Sequence, residues 1–182
     1  MGFSATQTLS TEDCQFDWRA RTGPLGLISA RDALLASSGQ FEIRLLGLIP
    51  FARAPQSPSL MRGELMRYLA ELAWAPDAIV RNGSLGWREV SPSALVVSAG
   101  DGPTASEVML SLDGDGRIAE AYAPDRPRAV GSGFLPTPWR GRFSDFRKQD
   151  GRWIPFAGEV AWEIDGKPDI YWQGKIECWR IG

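Results

Sequence analysis

The sequence predicts an α+β protein in which one main helix packs across a strongly curved antiparallel sheet, a half-barrel or open barrel of about nine or ten strands. Three observations carry that expectation: period-2 apolar alternation in most segments, Asp-Gly dipeptides between them, and a lone segment with helical spacing. The 182 residues fit a single domain spanning 1–182. The 20 Gly and 13 Pro are scattered, which suits many short elements joined by turns.

Taken in order, Phe16, Trp18 and Ala20 alternate with Asp17, Arg19 and Arg21, so this strand has one dry face. Phe41, Ile43 and Leu45 alternate with Glu42 and Arg44 in the same way. Arg31 and Asp32 fall on opposite faces of a strand, and a structural pairing is the favoured role for both. From about Pro58 to Ala73, Met61, Leu65, Leu69 and Leu72 form one apolar helical stripe. Ser57 or Ser59 caps its start, Glu64 suits the early part of the helix dipole, and Trp74-Ala75-Pro76 ends it. Asp77 to Val80 adds one more turn. Val108, Leu110 and Leu112 lead into Asp113-Gly114-Asp115-Gly116, after which Arg117 to Tyr122 resumes as a returning strand. Ala123 to Pro138, rich in Pro, Gly and Arg, reads as a long surface loop. Asp150-Gly151 and Asp165-Gly166 repeat the turn signal, making residues 139–181 an antiparallel meander.

Composition removes several chemistries. With no histidine, a His-based triad, a His-ligated metal and a His proton shuttle are excluded. Two cysteines, Cys14 and Cys178, cannot build a four-ligand zinc site, and free thiols are favoured over a disulfide. Asp113 and Asp115 imitate the opening of a calcium loop without its later ligands, and Gly131-Ser132-Gly133 is too short to cradle phosphate. No metal and no cofactor is expected. A net charge of −2 gives no basic surplus for nucleic acid. No signal peptide and no run of about 18 apolar residues is present, so the expectation is a soluble, cytoplasmic chain with no membrane span.

At 100° per residue, Glu64, Arg67, Tyr68 and Glu71 occupy about a third of the helix circumference beside the apolar stripe. Turned inward, this edge offers two carboxylates, a phenol and a guanidinium against an apolar wall, where burial and Arg67 split the carboxyl pKa values into acid and base roles. The plainer alternative is a solvated salt-bridge edge, or an ion pair pinning helix to sheet. Asp145, with Arg147 as partner, is a fourth acid candidate if it points inward, and an outer-face charge pair otherwise. With 8 Trp in the chain, any cavity is expected to be bordered by indoles. Trp18, Trp74, Trp139, Trp162 and Trp172, together with Arg67, are the candidate ligand-binding side chains.

The run Arg67-Tyr68-Leu69-Ala70-Glu71, followed by Trp74-Ala75-Pro76-Asp77-Ala78, resembles the hallmark of an uncharacterised bacterial family, a domain of unknown function. Pro138-Trp139, Ile154-Pro155, Gly158 to Trp162, Tyr171-Trp172-Gln173-Gly174, and Phe16-Asp17-Trp18 with Arg31-Asp32 upstream also fit. The resemblance spans about residues 3 to 181 and implies no activity. Members of that family are often longer at the N-terminus and sometimes carry a membrane anchor. The expected architecture is also similar in outline to lipoprotein-carrier half-barrels, an analogy of fold only.

Three functional readings follow. The first is a module binding a lipophilic small molecule in an aromatic-lined pocket between sheet and helix. The second is a metal-free, His-independent enzyme (isomerase, lyase, cyclase or hydrolase) using Glu64, Glu71, Tyr68 and Asp145 as acids and bases in that pocket. The third is a structural or partner-binding domain. Ligand identity and oligomeric state stay open.

Overall fold

The computed structural model describes residues 2–23, 26–36, 38–45, 49–53, 55–131 and 133–181. Strands β1 (Phe3–Leu9), β2 (Phe16–Thr22), β3 (Ile28–Leu35), β4 (Ser38–Leu45) and β5 (Ile49–Arg53) pair in chain order as one antiparallel sheet. Helix α1 (Pro58–Ala70) follows, then a 3-10 turn over Glu71–Trp74 and the short helix α2 (Pro76–Arg81). A second antiparallel sheet takes β6 (Gly86–Ser91), β7 (Ala94–Ala99), β8 (Ser106–Leu112), β9 (Ile118–Val130), β10 (Gly133–Gln149), β11 (Arg152–Ile164) and β12 (Lys167–Lys175), again with chain neighbours paired.

The α+β class and the main helix stand, but the single curled sheet does not. Among the described residues twelve strands form two sheets, and each ladder runs from one edge strand to another, so neither closes on itself. Alternation along a strand reports which face is dry and is silent about which strands pair. Here the helical crossover between β5 and β6 takes the chain off the first ladder and starts a second.

Helix α1 begins where Ser57 accepts a hydrogen bond from the Leu60 amide at 3.1 Å, with Pro58 in the first turn. It lies between the sheets, packing on β7, β8 and β9 from one side and on β3 and β4 from the other. Burial is therefore not confined to the predicted stripe: Leu60, Met66, Tyr68 and Ala70 are buried along with Leu65 and Leu69. One apolar cluster joins the helix to Phe16 and Leu34 of the first sheet and to Val97, Leu110, Trp139 and Phe143 of the second.

The Asp-Gly turns at Asp150 and Asp165 form as the sequence predicts, whereas in the connection of residues 113–117 only Gly116 takes a positive φ, 77°. Asp150 and Gly151 take φ of 47° and 82°, and Asp165 and Gly166 take 51° and 72°, the left-handed pair that a tight hairpin needs. Residues 123–130 and 133–138 depart from the expected loop, and residue 132 of that stretch lies outside the described residues. β9 and β10 continue through them as a paired ladder in which Pro127 faces Pro136 and Gly133 faces Val130. Two prolines placed opposite each other remove ladder donors at a single pair position, and neighbouring pairs carry the ribbon past them.

Three indole rings lie over glycines on the inner face of the second sheet. An added Cβ at Gly158 would meet Trp74 at 2.8 Å, and one at Gly141 would meet Trp139 at 3.1 Å. The third is Trp172 over Gly174. Trp74 is further fixed by its indole N–H donating to the Pro155 carbonyl at 2.9 Å and by edge contact with Phe143. Gly158→Ala is therefore expected to lower stability by about 1–3 kcal/mol through overpacking, read as an earlier urea midpoint with an unchanged slope. Indifference to this substitution would mean that the Trp74 ring is not held against the sheet.

Candidate functional site

The ladders set one row of residues across the inner face of the first sheet. Gln7 pairs with Trp18, Trp18 with Asp32, and Asp32 with Phe41. On one side of that row lie Phe16, Leu34 and Gly39, and α1 crosses here, since a Cβ on Gly39 would sit 3.3 Å from Glu64 Cγ and from Leu60 Cγ. On the other side the row Ala20, Ala30, Ile43 continues the same face.

Arg67 projects from α1 onto this face. Its guanidinium donates to Glu71 at 2.9 Å, to Gln7 Oε1 at 3.2 Å and to Asp32 Oδ2, and it stacks over the rings of Phe16 and Trp18 at 4.7 and 5.4 Å. Gln7 in turn donates to the second oxygen of Glu71 at 2.6 Å. The predicted edge has thus turned inward and is tied to three strands by this network. Burial works against the Arg67 charge, but the carboxylates of Glu71 and Asp32 outweigh it and hold the group protonated.

Glu64, one turn earlier, is 6% exposed. Burial first, and then the Asp32 carboxylate within hydrogen-bonding reach, push its carboxyl well above the ordinary range; Arg126 and Arg67 oppose the shift and lose. Among the described residues no donor reaches Glu64 Oε2 or Asp32 Oδ1, both of them buried.

On the far flank of Glu64, Arg126 of β9 repeats the Arg67 arrangement. It donates to the Gly63 carbonyl at 3.3 Å and to the Tyr171 hydroxyl at 3.2 Å, and lies over Trp139 and Trp162 at 4.8 and 5.6 Å. Trp162 stacks on Tyr171, whose hydroxyl also accepts from the Trp139 indole at 2.8 Å. Trp18 and Trp172 meet across the seam between the sheets through Phe3, and Trp172 also meets Trp74 edge-on. The predicted binding side chains Arg67, Trp18, Trp74, Trp139, Trp162 and Trp172 therefore form two connected aromatic groups flanking the carboxyl pair.

The predicted acids fare differently. Tyr68 donates to the Ser10 carbonyl at 2.9 Å and accepts from Asn82 at 3.1 Å, and burial pushes its phenol up to about 12. Both Glu71 oxygens are taken by Arg67 and Gln7. Asp145 sits at a positive φ of 55°, outside the ladder, where it pairs with Arg147 in the open. Asp32, expected to play a structural part, is instead the neighbour of Glu64, while Gln7 and Arg126 were not anticipated. The signal for Asp32 is a charge between Ala30 and Leu34 on an otherwise apolar face; Gln7 breaks the Ala5, Leu9 face likewise. Arg126 lay in the presumed loop.

Direct packing fills the interface under α1, where Leu65, Met66, Leu69 and Leu72 are each at most 3% exposed. A cleft of about 160 Å³ lies elsewhere, against Arg140, Arg142, Glu159, Glu163 and Lys167. Those residues alternate with Gly141, Phe143 and Val160, placing the cleft on the outer face, where Arg140 bridges Glu120 and Glu163. Cys14 and Cys178 are free, the first half-buried and the second exposed. Among the described residues no helix is long and apolar enough to cross a membrane.

No curated protein and no solved structure matches the chain. Among the residues that carry the sequence resemblance, Asp32 and Glu71 meet Arg67, and Gly158 and Trp172 meet Trp74, and a family model matches residues 1–174. The chain belongs to the family of unknown function DUF6544.

Proposed function

We propose that this protein binds a lipophilic small molecule, its apolar body laid on the inner face of the first sheet beyond α1 and its polar end read beside Glu64 and Asp32. The supporting observation is an apolar face that runs up to a buried carboxyl pair and that the described residues cover only in part. Ala30, Phe41 and Ile43 are only half-buried there, and Phe3 and Leu45 at its margin are 40% and 42% exposed. A contiguous apolar patch bordered by a few polar groups is the usual form of a ligand surface. Half-buried Trp18 and Trp172 border the seam beside it.

Native mass spectrometry of gently purified protein tests this. A lipophilic adduct of defined mass is expected, and Ile43→Glu, which puts a charge on the open face, is expected to abolish it while leaving the circular dichroism spectrum intact. No adduct, together with uptake of the neutral dye Nile red unaltered by Ile43→Glu, would overturn the proposal.

A second reading is favoured by one observation: Glu64, held neutral, beside Asp32, ion-paired with Arg67, is an acid and a base in one place. Glu71 and Tyr68 are spent on their partners, so an enzyme here would use Glu64 as its acid. The adduct on Glu64→Gln decides. The same mass as on the wild type, whatever its occupancy, supports a binding module, whereas a different mass marks a substrate that only the wild type converts.

A further inference from the structure

We propose that the ligand's polar end is a cationic amine, bound at Asp32 Oδ1 and Glu64 Oε2. This rests on the lipophilic-binding reading and narrows it. At the helix edge each guanidinium already has three of its five N–H donors engaged by the protein. Arg67 has Nε, Nη1 and Nη2 committed to Glu71, Asp32 and Gln7. Arg126 has its three nitrogens committed to the Gly63 carbonyl and the Tyr171 hydroxyl. Gln7 uses its amide nitrogen on Glu71 and its oxygen on Arg67. The buried side-chain oxygens left without a donor among the described residues are these two carboxyl oxygens. An anionic head, such as a fatty carboxylate, would meet two carboxyl oxygens opposing it. A donor head finds both acceptors open, and a charged one gains most from them.

Charge balance points the same way. The groups facing Glu64 are Asp32 from β3, Arg126 from β9, and Arg67 from its own helix with Glu71 behind it; β4 offers Gly39 and Phe41 and no charge. With Glu64 neutral, the carboxylates of Asp32 and Glu71 balance the two guanidiniums. Ionising Glu64 leaves one unmatched negative charge in a buried place, which a single ammonium neutralises. Aromatic faces beside carboxylates already hold two guanidinium cations here, at 4.7 to 5.6 Å from ring centroids. Uptake of the amine then releases the Glu64 proton to solvent, with no other bond made or broken.

The test is calorimetric titration of the full chain with decylammonium, decanol and decanoate, each below its micelle concentration, at pH 6 and pH 8. Decylammonium is expected to bind at least about tenfold more tightly than decanoate, and more tightly at pH 8 than at pH 6, with a heat that varies with buffer ionisation enthalpy because a proton leaves. Glu64→Gln is expected to weaken the amine about tenfold, far more than it weakens decanol, and Asp32→Asn is expected to do the same. Decanoate binding as tightly as the amine, or amine binding indifferent to pH and to Glu64→Gln, would overturn the head-group assignment and leave the lipophilic reading standing. Binding of none of the three would remove the lipophilic reading itself.

Discussion

Replacing Arg67 by Met is expected to cost about 3–5 kcal/mol, the loss typical of removing one partner from a buried ion-pair network. The side chain of Arg67 is 16% exposed, and those of its partners Asp32 and Glu71 are 13% and 12% exposed. Methionine fills much of the aliphatic volume and keeps the packing against Phe16 and Trp18, so the loss reports the stranded carboxylates and not a cavity. Asp32 would then lie beside Glu64 with no nearby cation from the helix, and Gln7 would lose the donor to its oxygen. Urea unfolding measures the loss. A companion variant, Arg67→Met with Asp32→Asn and Glu71→Gln, is expected to recover at least half of it by neutralising the stranded charges. A loss below about 1 kcal/mol for the single change would show that the network is solvated, as surface pairs are.

Glu64→Gln is expected to act in the opposite direction and to depend on pH. The Glu64 carboxyl takes up its proton more readily in the folded chain than the ordinary value of 4.5 allows. Between that value and the raised one, the folded state holds a proton that the unfolded state has lost. Stability from this group is therefore complete below about pH 4.5 and declines as pH rises through the raised value. Glutamine cannot ionise, and its amide can donate to Asp32 Oδ1. The variant should match the wild type near pH 4.5. At pH 8 it should exceed the wild type by about 1–3 kcal/mol, the usual penalty for a buried polar group left without a partner. Unfolding curves for both proteins across that range are the measurement. Parallel pH profiles would mean that Glu64 ionises as freely in the folded chain as in the unfolded one.

The two substitutions mark where local pattern stops being informative. Period-2 alternation identified the dry faces carrying Phe16 and Trp18, or Phe41 and Ile43, because a strand presents every second side chain to the same side whatever it pairs with. The Asp-Gly turns at Asp150 and Asp165 were legible for a similar reason, since positive φ is a property of the residues in the turn. The helix is also local, and of the two serines that could cap it, Ser57 and Ser59, the structure uses Ser57; its burial on several sides is not local, because two sheets approach it.

The sequence by itself determined the strand faces, the hairpin turns, one capped helix, and a chemistry confined to carboxylates, arginines, a phenol and indoles by the absence of histidine. Tertiary structure alone decided that the strands divide into two sheets and that Asp32, not Glu71, stands beside Glu64. It also decided that Arg126 closes the other flank. Those outcomes depend on contacts between residues far apart in the chain, such as Asp32 with Arg67 and Gly63 with Arg126. The ionisation of a buried carboxyl follows from the charges that folding places around it, which no periodicity along the chain encodes.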